Sequence, residues 1–321
     1  MFVCLLSFAT AAVLIEPHQE KAFLSWMREH SVTYTGEEYF LRLGVYLSNA
    51  KYVQNFNKQK KSFKLALNKF ATWTPAEYRT LLSKVPLTYQ KHDKSRKCTL
   101  KEIPDEIDWR DQNIVTPVVD QMMCASGWCF ASTTAQESQW ARVKGELMKL
   151  SDQNLIECCW TNQNCEGGWA DAAAYYVLEN QGGKYMLASD WPYTGYFSDQ
   201  CNFDASKGVQ NLVEVLYAKS GDEQDMKEKC AEYGVLATAI DASLTTFVYY
   251  KSGVYDDEAC DPWSLDHCIA IVGYGTLEGV DYWLCKNSYG DLWGDKGYIK
   301  MIRNKSGQCG IDMQAYVPIV E

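Results

Sequence analysis

The sequence of 321 residues lacks several patterns that each mark a class of protein. It contains no CxxC pair, no CxxxxH motif and no HExxH motif, so nothing in its cysteine and histidine spacing indicates a metal site. After the first dozen residues, no apolar run approaches the roughly 20 residues that a membrane span needs. We therefore expect no metal, no cofactor and no membrane-spanning segment.

Positive charge is scarce in most of the chain. Residues 1–101 carry 16 Lys and Arg against 7 Asp and Glu, whereas residues 102–321 carry 15 against 34. An acidic domain of this kind repels phosphate, so we do not expect nucleic acid as a partner. Opposite fields attract, so the basic first part is predicted to dock on the acidic remainder.

Cysteine, by contrast, is abundant, with thirteen residues. The N-terminus MFVCLLSFATAA reads as a signal peptide over residues 1–12, with Ala9-Thr10-Ala11 as a cleavage site; the alternative is a buried N-terminal strand. A leader with many cysteines predicts disulfides and the secretory pathway, with the lysosome, an endosomal vacuole or the extracellular space as destination. Without Cys4 and Cys98 eleven cysteines remain, so at least one is unpaired or pairs outside the chain.

The hydrophobic pattern divides the chain into a helical first part and a strand-rich last part. Residues 20–60 show helical spacing, in a stripe that includes Phe40, Leu43, Tyr46 and Tyr52. The polar run 88–98 is predicted to be an exposed, protease-accessible linker. Further helices are predicted at about 127–143 and 169–180. From about residue 211, short apolar runs between Gly and Asp predict antiparallel strands.

Histidine is also scarce, and three of the four histidines precede residue 93. His267, the fourth, opens the apolar run HCIAIVGYG, and Asn287 lies in KNSYGDLWGDKGY. A hairpin that turns at residues 276–280 would bring the two side chains to one face of adjacent strands. A lone histidine is usually structural. An amide that orients an imidazole, however, is typical of a nucleophile–base–orienter set.

Three further stretches carry a family resemblance. ALNKFAT (66–72) follows the spacing GxNxFxD, with Ala66 and Thr72 as departures, and DWR…VTPV…Q (108–121) precedes DQMMCASGWCFAS. With these motifs the chain resembles the precursors of papain-family, cathepsin L-like cysteine proteases. The ERFNIN spacing of their propeptides is reproduced, with Tyr for Phe and Val for Ile, by Glu38, Arg42, Tyr46, Asn49, Val53 and Asn57.

The resemblance implies an α+β fold of papain-like, two-lobed form behind a helical N-terminal propeptide. The implied organisation is an inhibitory propeptide at 13–102 and a peptidase domain at 103–321. Within that domain we expect a helical lobe over about 103–210 and an antiparallel, barrel-like β lobe over about 211–321.

The resemblance also implies roles for individual residues. Gln121 matches the glutamine whose amide forms part of the oxyanion hole, His267 the general base and Asn287 its orienter. Gly167 and Gly168 match glycines whose backbone pairs with an extended substrate. The other implied substrate-binding positions are Trp169, Ala170, Ala239, Leu265, Cys268, Gln314, Tyr289 and Trp293. Most walls of the pocket for the second residue before the cleaved bond are apolar, which implies a hydrophobic preference there, although Gln314 leaves the pocket floor open.

Three disulfides are implied by matching position: Cys124–Cys165, Cys158–Cys201 and Cys260–Cys309. The thiols left over are expected to be small buried apolar groups: Cys129, Cys159, Cys230, Cys268 and Cys285. The implied partners are extended peptides or proteins, the chain's own propeptide and cystatin-like inhibitors, and the resemblance implies a monomer.

The family pattern Q-G-x-C-G-S-C-W-A-F has its nucleophile at the second cysteine, where this chain has Gly127. Glycine has no atom that attacks a carbonyl. Cys129 is two residues along the predicted helix, about 200° around its axis, and should face away from His267. Loss of the nucleophile costs roughly 10⁶ in turnover in subtilisin, so we predict no peptidase activity.

Three functions remain open at this stage. The first is a natural pseudoprotease that still binds extended peptides, and the second is an active endopeptidase that carries a Cys-to-Gly change. The third is a structural or interaction protein with a vestigial cleft. Departures near Gly127 favour the first, since Met122 and Ala125 replace glycines, Cys129 replaces an alanine and Tyr289 replaces a tryptophan.

Overall fold

The computed structural model describes residues 16–86, 90–92 and 95–321, so the expected signal peptide lies outside the described residues. The helices are α1 (Pro17–Glu29), α2 (Gly36–Asn57), α3 (Pro75–Arg79), α4 (Gly127–Lys144), α5 (Asp152–Cys158), α6 (Ala170–Asn180), α7 (Glu223–Tyr233) and α8 (Thr245–Val248). The strands are β1 (Phe63–Leu65), β2 (Ile107–Asp108), β3 (Leu212–Tyr217), β4 (Leu236–Ile240), β5 (Tyr250–Tyr255), β6 (His267–Leu277), β7 (Val280–Lys286), β8 (Tyr298–Ile302) and β9 (Tyr316–Val320).

The strands form a sheet in the order β1-β5-β8-β7-β6-β4-β9-β3, and β2 pairs with β6. The predicted hairpin is present, since β6 and β7 pair from Ala270–Lys286 to Leu277–Val280 and turn at residues 278–279. The sheet is not wholly antiparallel, because β5 and β8 pair in parallel. The predicted α+β class, with helices preceding a strand-rich half, is confirmed.

Helix α4 lies against the sheet and is buried on almost every side, including its first residue, Gly127. A helix buried all round shows little amphipathic pattern, so the apolar residues of α4 do not form a stripe. The helix ends at Gly145, whose left-handed backbone (φ 77°) closes the last turn. The N-terminus of α4 lies beside His267, the first residue of β6. A Cβ added to Gly127 would contact the side chain of His267.

A buried polar network joins α4 to Lys286, the last residue of β7, which directly precedes Asn287. Glu137, fully buried on α4, accepts from Lys149 Nζ at 2.9 Å and from Thr116 Oγ1 at 2.5 Å. Burial alone would lower the pKa of Lys149, but the carboxylates of Asp152 and Glu137 outweigh it and raise that pKa. Lys286 Nζ donates to Thr116 Oγ1 at 3.0 Å, so the network reaches the residue directly before Asn287.

The N-terminal helices fold around their own small core. Leu43 and Tyr46 of α2 are buried against α1, whereas Phe40 and Tyr52, predicted in the same apolar stripe, are exposed. The predicted stripe was therefore too wide, because α2 contacts α1 along a narrow face. The docking expected from charge is present, since β1 pairs with β5 through Phe63.

Polar residues of α2 hold the loop that follows β1. Asn57 Nδ2 donates to the Leu65 carbonyl at 2.7 Å, and Asn49 Nδ2 donates to the Ala71 carbonyl at 3.0 Å. Arg42 donates to Glu77 at 2.8 Å, and this guanidinium holds the pKa of the Glu77 carboxyl down at about 2. The residues with ERFNIN spacing therefore fix the segment that continues toward residue 80.

The linker predicted at 88–98 contacts the peptidase domain in the part that the structure describes. The ring of His92 stacks on Tyr217 with centroids 3.5 Å apart, and Arg96 forms an ion pair with Glu214 at 2.6 Å. Just beyond it, the Thr99 amide donates to Glu232 at 3.1 Å. Residues 90, 91, 96 and 97 are exposed, as predicted. The polarity of the run indicated contact with water and could not reveal these additional contacts with the peptidase domain. Within the described residues, no helix is both long and apolar enough to cross a bilayer.

Candidate active site

His267 and Asn287 form a hydrogen-bonded pair at the end of the β6–β7 hairpin. Nε2 of His267 lies 2.8 Å from Oδ1 of Asn287, and both residues are 3% exposed. An amide oxygen only accepts, so Nε2 carries the proton and Nδ1 presents its lone pair. The ring of Tyr289 stacks on the imidazole at a centroid distance of 5.0 Å.

Burial lowers the pKa of His267 to about 4, against the opposing effect of the hydrogen bond to Asn287. The folded chain therefore holds a neutral imidazole under conditions in which an unfolded chain would bind a proton. Between pH 6.5 and about 4 this difference destabilises the fold as the pH falls, because the unfolded state takes up the extra proton.

This predicts a specific titration. In histidine-edited NMR spectra, the resonances of His267 are expected to remain those of a neutral ring at about pH 5. The His267→Gln variant assigns the signal by its loss. A midpoint near the ordinary histidine value would contradict the burial of the ring.

Gly127 faces the lone pair of His267. A Cβ placed on Gly127 would lie 2.6 Å from His267 Nδ1 and 3.2 Å from the Cys268 carbonyl oxygen. The first distance is well inside the roughly 3.5 Å at which non-bonded heavy atoms pack, so the ring fills the space that a side chain at residue 127 would need. The position expected for a nucleophile is thus next to the base and carries no side chain.

Gln121 lies behind this pair with its amide aimed into the cleft. Its Nε2 donates to the Leu81 carbonyl at 3.1 Å and to the Cys124 carbonyl at 2.9 Å, while Ser288 Oγ donates to its Oε1 at 2.7 Å. The two carbonyls fix the orientation of the amide, because they only accept and therefore require its NH2 end. A fixed donor at this point is suited to a carbonyl oxygen that gains negative charge.

The carbonyl held by Gln121 belongs to an N-terminal segment that fills the cleft. Beyond Leu81, the Ser83 amide donates to the Asp266 carbonyl at 2.7 Å and the Lys84 amide to the Glu166 carbonyl at 3.0 Å. These bonds hold the backbone in place whatever its side chains are.

The two glycines predicted to meet a substrate backbone differ in what they contact. A Cβ on Gly167 would lie 2.6 Å from Cα of Ser83, so a side chain there would displace the segment. A Cβ on Gly168 would instead meet the side chain of Asn162. Among the described residues, the backbone of the propeptide segment bonds to the Glu166 carbonyl and not to Gly168, where pairing was predicted.

Most of the residues predicted to line the specificity pocket surround one small cavity of about 10 Å³. Nε2 of Gln314 donates to the carboxylate of Asp171, which also accepts from Tyr217 Oη at 2.8 Å. The pocket therefore has a polar, hydrogen-bonded end. Leu265 lies beside Gly310, off the wall of this cavity. The predicted residues that do line it are Trp169, Ala170, Ala239, Cys268 and Gln314.

Tyr289 and Trp293 were predicted at the substrate-binding surface, but both are fully buried. Tyr289 meets the ring of Phe70 edge-on at 5.4 Å, and its hydroxyl lies 3.2 Å from that of Tyr78. Trp293 packs on Phe247 at 5.1 Å. The N-terminal segment thus covers Tyr289 and continues the aromatic stack over His267.

Lys69 makes a contact that no sequence motif singled out. Its Nζ lies 2.6 and 2.7 Å from the two carboxylate oxygens of Asp120, next to Gln121, and 5.0 Å from the ring centroid of Phe70. Burial lowers the pKa of Lys69, an effect that Asp120 partly reverses. The opposite charges of the two parts of the chain predicted such pairs, but spacing alone cannot say which residues meet.

We expect Lys69→Met to loosen the N-terminal segment. Loss of this partly exposed ion pair should weaken the docking by about 1 kcal/mol, roughly a fivefold change in the fraction released. The measurement is the rate at which an added protease cuts the segment from the full chain. Lys64→Met is the matched control, because Lys64 Nζ contacts only carbonyls of its own segment, at Asn57 and Gln59. Equal rates for the two variants would contradict the role of Lys69.

The remaining thiols do not replace a nucleophile. The disulfides are Cys124–Cys165, Cys158–Cys201 and Cys260–Cys309, the pairs that the resemblance implies. Burial raises the pKa of Cys129 and of Cys268, and a buried thiol with a raised pKa is a poor nucleophile. No group of acidic, cysteine and histidine side chains able to hold a metal ion is found among the described residues.

Comparison with known proteins accounts for both parts of the chain. Residues 103–319 match the papain family cysteine protease model, and residues 23–78 match the cathepsin propeptide inhibitor domain (I29). Cathepsin L1 of Drosophila melanogaster is 39% identical over 312 residues, which cover 91% of this chain and 83% of that protein. Cathepsin L of Sarcophaga peregrina is 35% identical over 339 residues, with 100% and 99% coverage.

Solved structures of related precursors share the fold. Digestive procathepsin L2 from the larval midgut of Tenebrio molitor superimposes with a TM-score of 0.87 at 30% identity, covering 94% of this chain and 99% of its own. The proform of the ragweed pollen cysteine protease Amb a 11 gives a TM-score of 0.87 at 30% identity, with 96% and 95% coverage. The chain therefore belongs to the papain family of cysteine proteases and is cathepsin L-like, with a cathepsin propeptide inhibitor domain ahead of its peptidase domain.

Proposed function

We propose that this chain is a papain-family pseudoprotease, which binds extended peptides in its cleft without cleaving them. The observation that carries the proposal is the contact between Gly127 and Nδ1 of His267: the base faces a residue that has no side chain. Without a nucleophilic atom, no acyl intermediate forms, however well the base and the oxyanion donor are placed.

The capacity to bind is supported by the way the propeptide occupies the cleft. The backbone of residues 81–84 bonds to the side-chain amide of Gln121 and to the carbonyls of Asp266 and Glu166. An extended peptide of another sequence has the same backbone groups and can make the same bonds. A peptide of suitable length could replace the propeptide without a change in these partners.

A natural loss of activity is supported by Met122, which stands where the family pattern has glycine. Its backbone keeps a left-handed conformation, with φ at 55°. A side chain at such an angle is strained, and glycine is the residue that avoids the strain. A single introduced change at residue 127 would have left that glycine in place.

The alternative is an active cathepsin L-like endopeptidase that carries a Cys-to-Gly change at residue 127. The intact bond between His267 and Asn287, at 2.8 Å, favours it, because a disused site has no need to keep its base oriented. The codon for residue 127 in genomic DNA decides between the two.

The test of binding uses the parent chain after an added protease has cut it between residues 86 and 95. We expect the processed protein to bind a fluorescent extended peptide and to leave it uncut. The peptide carries a hydrophobic residue at the position that is second before the bond an active relative would cleave. The uncut precursor is the control, because residues 81–84 fill its cleft. Equal binding by the two forms, or turnover by the processed parent, would overturn the proposal.

We further propose a propeptide at 13–102, a peptidase domain at 103–321 with its helical lobe ending near 210, and delivery to the lysosome or the cell exterior. The start of the peptidase match at residue 103 supports the boundary. Three disulfides support an oxidising compartment.

A further inference from the structure

A cavity of about 280 Å³ lies between the propeptide and the peptidase domain, away from the His267 pair. Phe70, Trp73 and Tyr78 of the propeptide form one side, and Val248 and Tyr249 of the peptidase domain form the other. Four of its eleven lining residues are aromatic, and they come from both sides of the junction. The hydroxyl of Tyr78 donates to the Ala242 carbonyl at 2.9 Å, which fixes that wall to the peptidase domain.

One cation lines this cavity without a partner. Arg79, at the end of α3, is exposed and forms no ion pair with the described residues. The nearest acidic residue on the same helix, Glu77, is occupied by Arg42 at 2.7 Å and by the amide of Thr74 at 2.7 Å. The guanidinium of Arg79 is therefore available to an anion.

Hydroxyl groups add polar contacts on the opposite side of the cavity. Thr245, the first residue of α8, lines it, is exposed, and makes no side-chain hydrogen bond to the part of the chain that the structure describes. The cavity thus has a hydroxyl donor on the peptidase-domain side and a guanidinium on the propeptide side.

We propose that this cavity is a binding site for a small aromatic carboxylate. Aromatic walls favour a planar apolar ring, and an unpaired guanidinium favours a carboxylate, which it can hold through two parallel hydrogen bonds. A cationic ligand would be repelled by Arg79. The volume lies at the lower end of the range for small-molecule pockets, which suits one or two fused rings.

Occupancy of this site favours the docked propeptide. The ligand touches both sides of the junction, so it binds the closed precursor and loses Arg79 and the other propeptide contacts when the propeptide leaves. A ligand that binds one state only stabilises that state by mass action. The site thereby ties retention of the propeptide to the concentration of a small acid, whether or not residue 127 is a nucleophile.

The test titrates 2-naphthoate into the intact full-length chain, with calorimetry as the readout. We expect saturable binding that weakens about tenfold or more in Arg79→Ala, since a hydrogen bond to a charged group is at stake. 2-Naphthalenemethanol keeps the rings and lacks the charge, so it should bind the parent chain about tenfold or more weakly than 2-naphthoate does. Arg28→Ala is the matched control, because Arg28 is an exposed propeptide arginine that does not line the cavity.

A second readout is the rate at which an added protease releases the propeptide. Saturating 2-naphthoate should slow this release in the parent and in Arg28→Ala, and leave the rate in Arg79→Ala unchanged. Absence of saturable binding would overturn the proposal, and so would equal affinity in the parent and Arg79→Ala. Both arms use the uncut precursor, so they are independent of peptide binding in the cleft.

Discussion

A Gly127→Cys variant, freed of its propeptide by an added protease, is expected to hydrolyse peptide bonds, whereas the parent is expected to show no turnover. The new sulfur would face Nδ1 of His267 at the N-terminus of α4, where the imidazole and the helix dipole both favour a thiolate. Loss of a nucleophile costs roughly 10⁶ in subtilisin, so its return should raise turnover by at least about 10³.

The gain should fall short of the full factor for a structural reason. His267 fills the space in front of Gly127, and the ring must withdraw before a side chain fits. Turnover of a fluorogenic peptide and covalent labelling by a thiol-directed inhibitor are the measurements. Gly127→Ala is the matched control: it adds the Cβ that displaces the ring but no sulfur, so it should stay inactive. An inactive and unlabelled Gly127→Cys, with the fold intact, would show that the site has lost more than its nucleophile.

Glu137→Gln is expected to destabilise the peptidase domain by about 2 kcal/mol, because it removes a fully buried carboxylate that accepts three hydrogen bonds, although Asp152 still pairs with Lys149 at 2.7 Å. Glu137 is fully buried and holds Lys149, the Leu150 amide and Thr116 together. The same change also loosens the support of Lys286, which directly precedes Asn287.

Denaturant unfolding of the full chain measures this effect as a shift in the transition midpoint. Glu146→Gln is the control, since Glu146 is exposed just beyond the end of α4. We expect that variant to unfold with the parent, within about 0.5 kcal/mol. If the stability of Glu137→Gln were also within about 0.5 kcal/mol of the parent's, the network would not contribute to stability.

Much of the active-site geometry could be predicted from one sequence because it depends on local spacing. The β6–β7 hairpin brings His267 to Asn287 through strand pairing alone, and a helix that begins at Gly127 is visible in the apolar run that follows. Spacing on α2 identified Arg42, Asn49 and Asn57 as part of a propeptide motif, and the structure adds their contacts with residues 65–77.

What could not be predicted depends on how separate elements meet. Lys69 finds Asp120 across 51 positions of sequence, and only the docked geometry selects that pair among many opposite charges. The burial of Tyr289 follows in part from Phe70 and Tyr78 of the propeptide, whose rings lie against it. Trp293 is buried by its own domain, against Phe247 and Tyr250. The tethering of the linker through His92 and Arg96 was hidden for the same reason, since its partners lie more than a hundred residues away.

The tethered linker has a consequence for how such a molecule would be matured. On the proposed function, one copy of the precursor does not cleave another, so a higher concentration would not speed its own processing. The time at which the cleft opens would be set by other proteases that cut near His92 and Arg96, the residues that contact Tyr217 and Glu214. The amount of processed protein would then increase with the activity of other proteases around it.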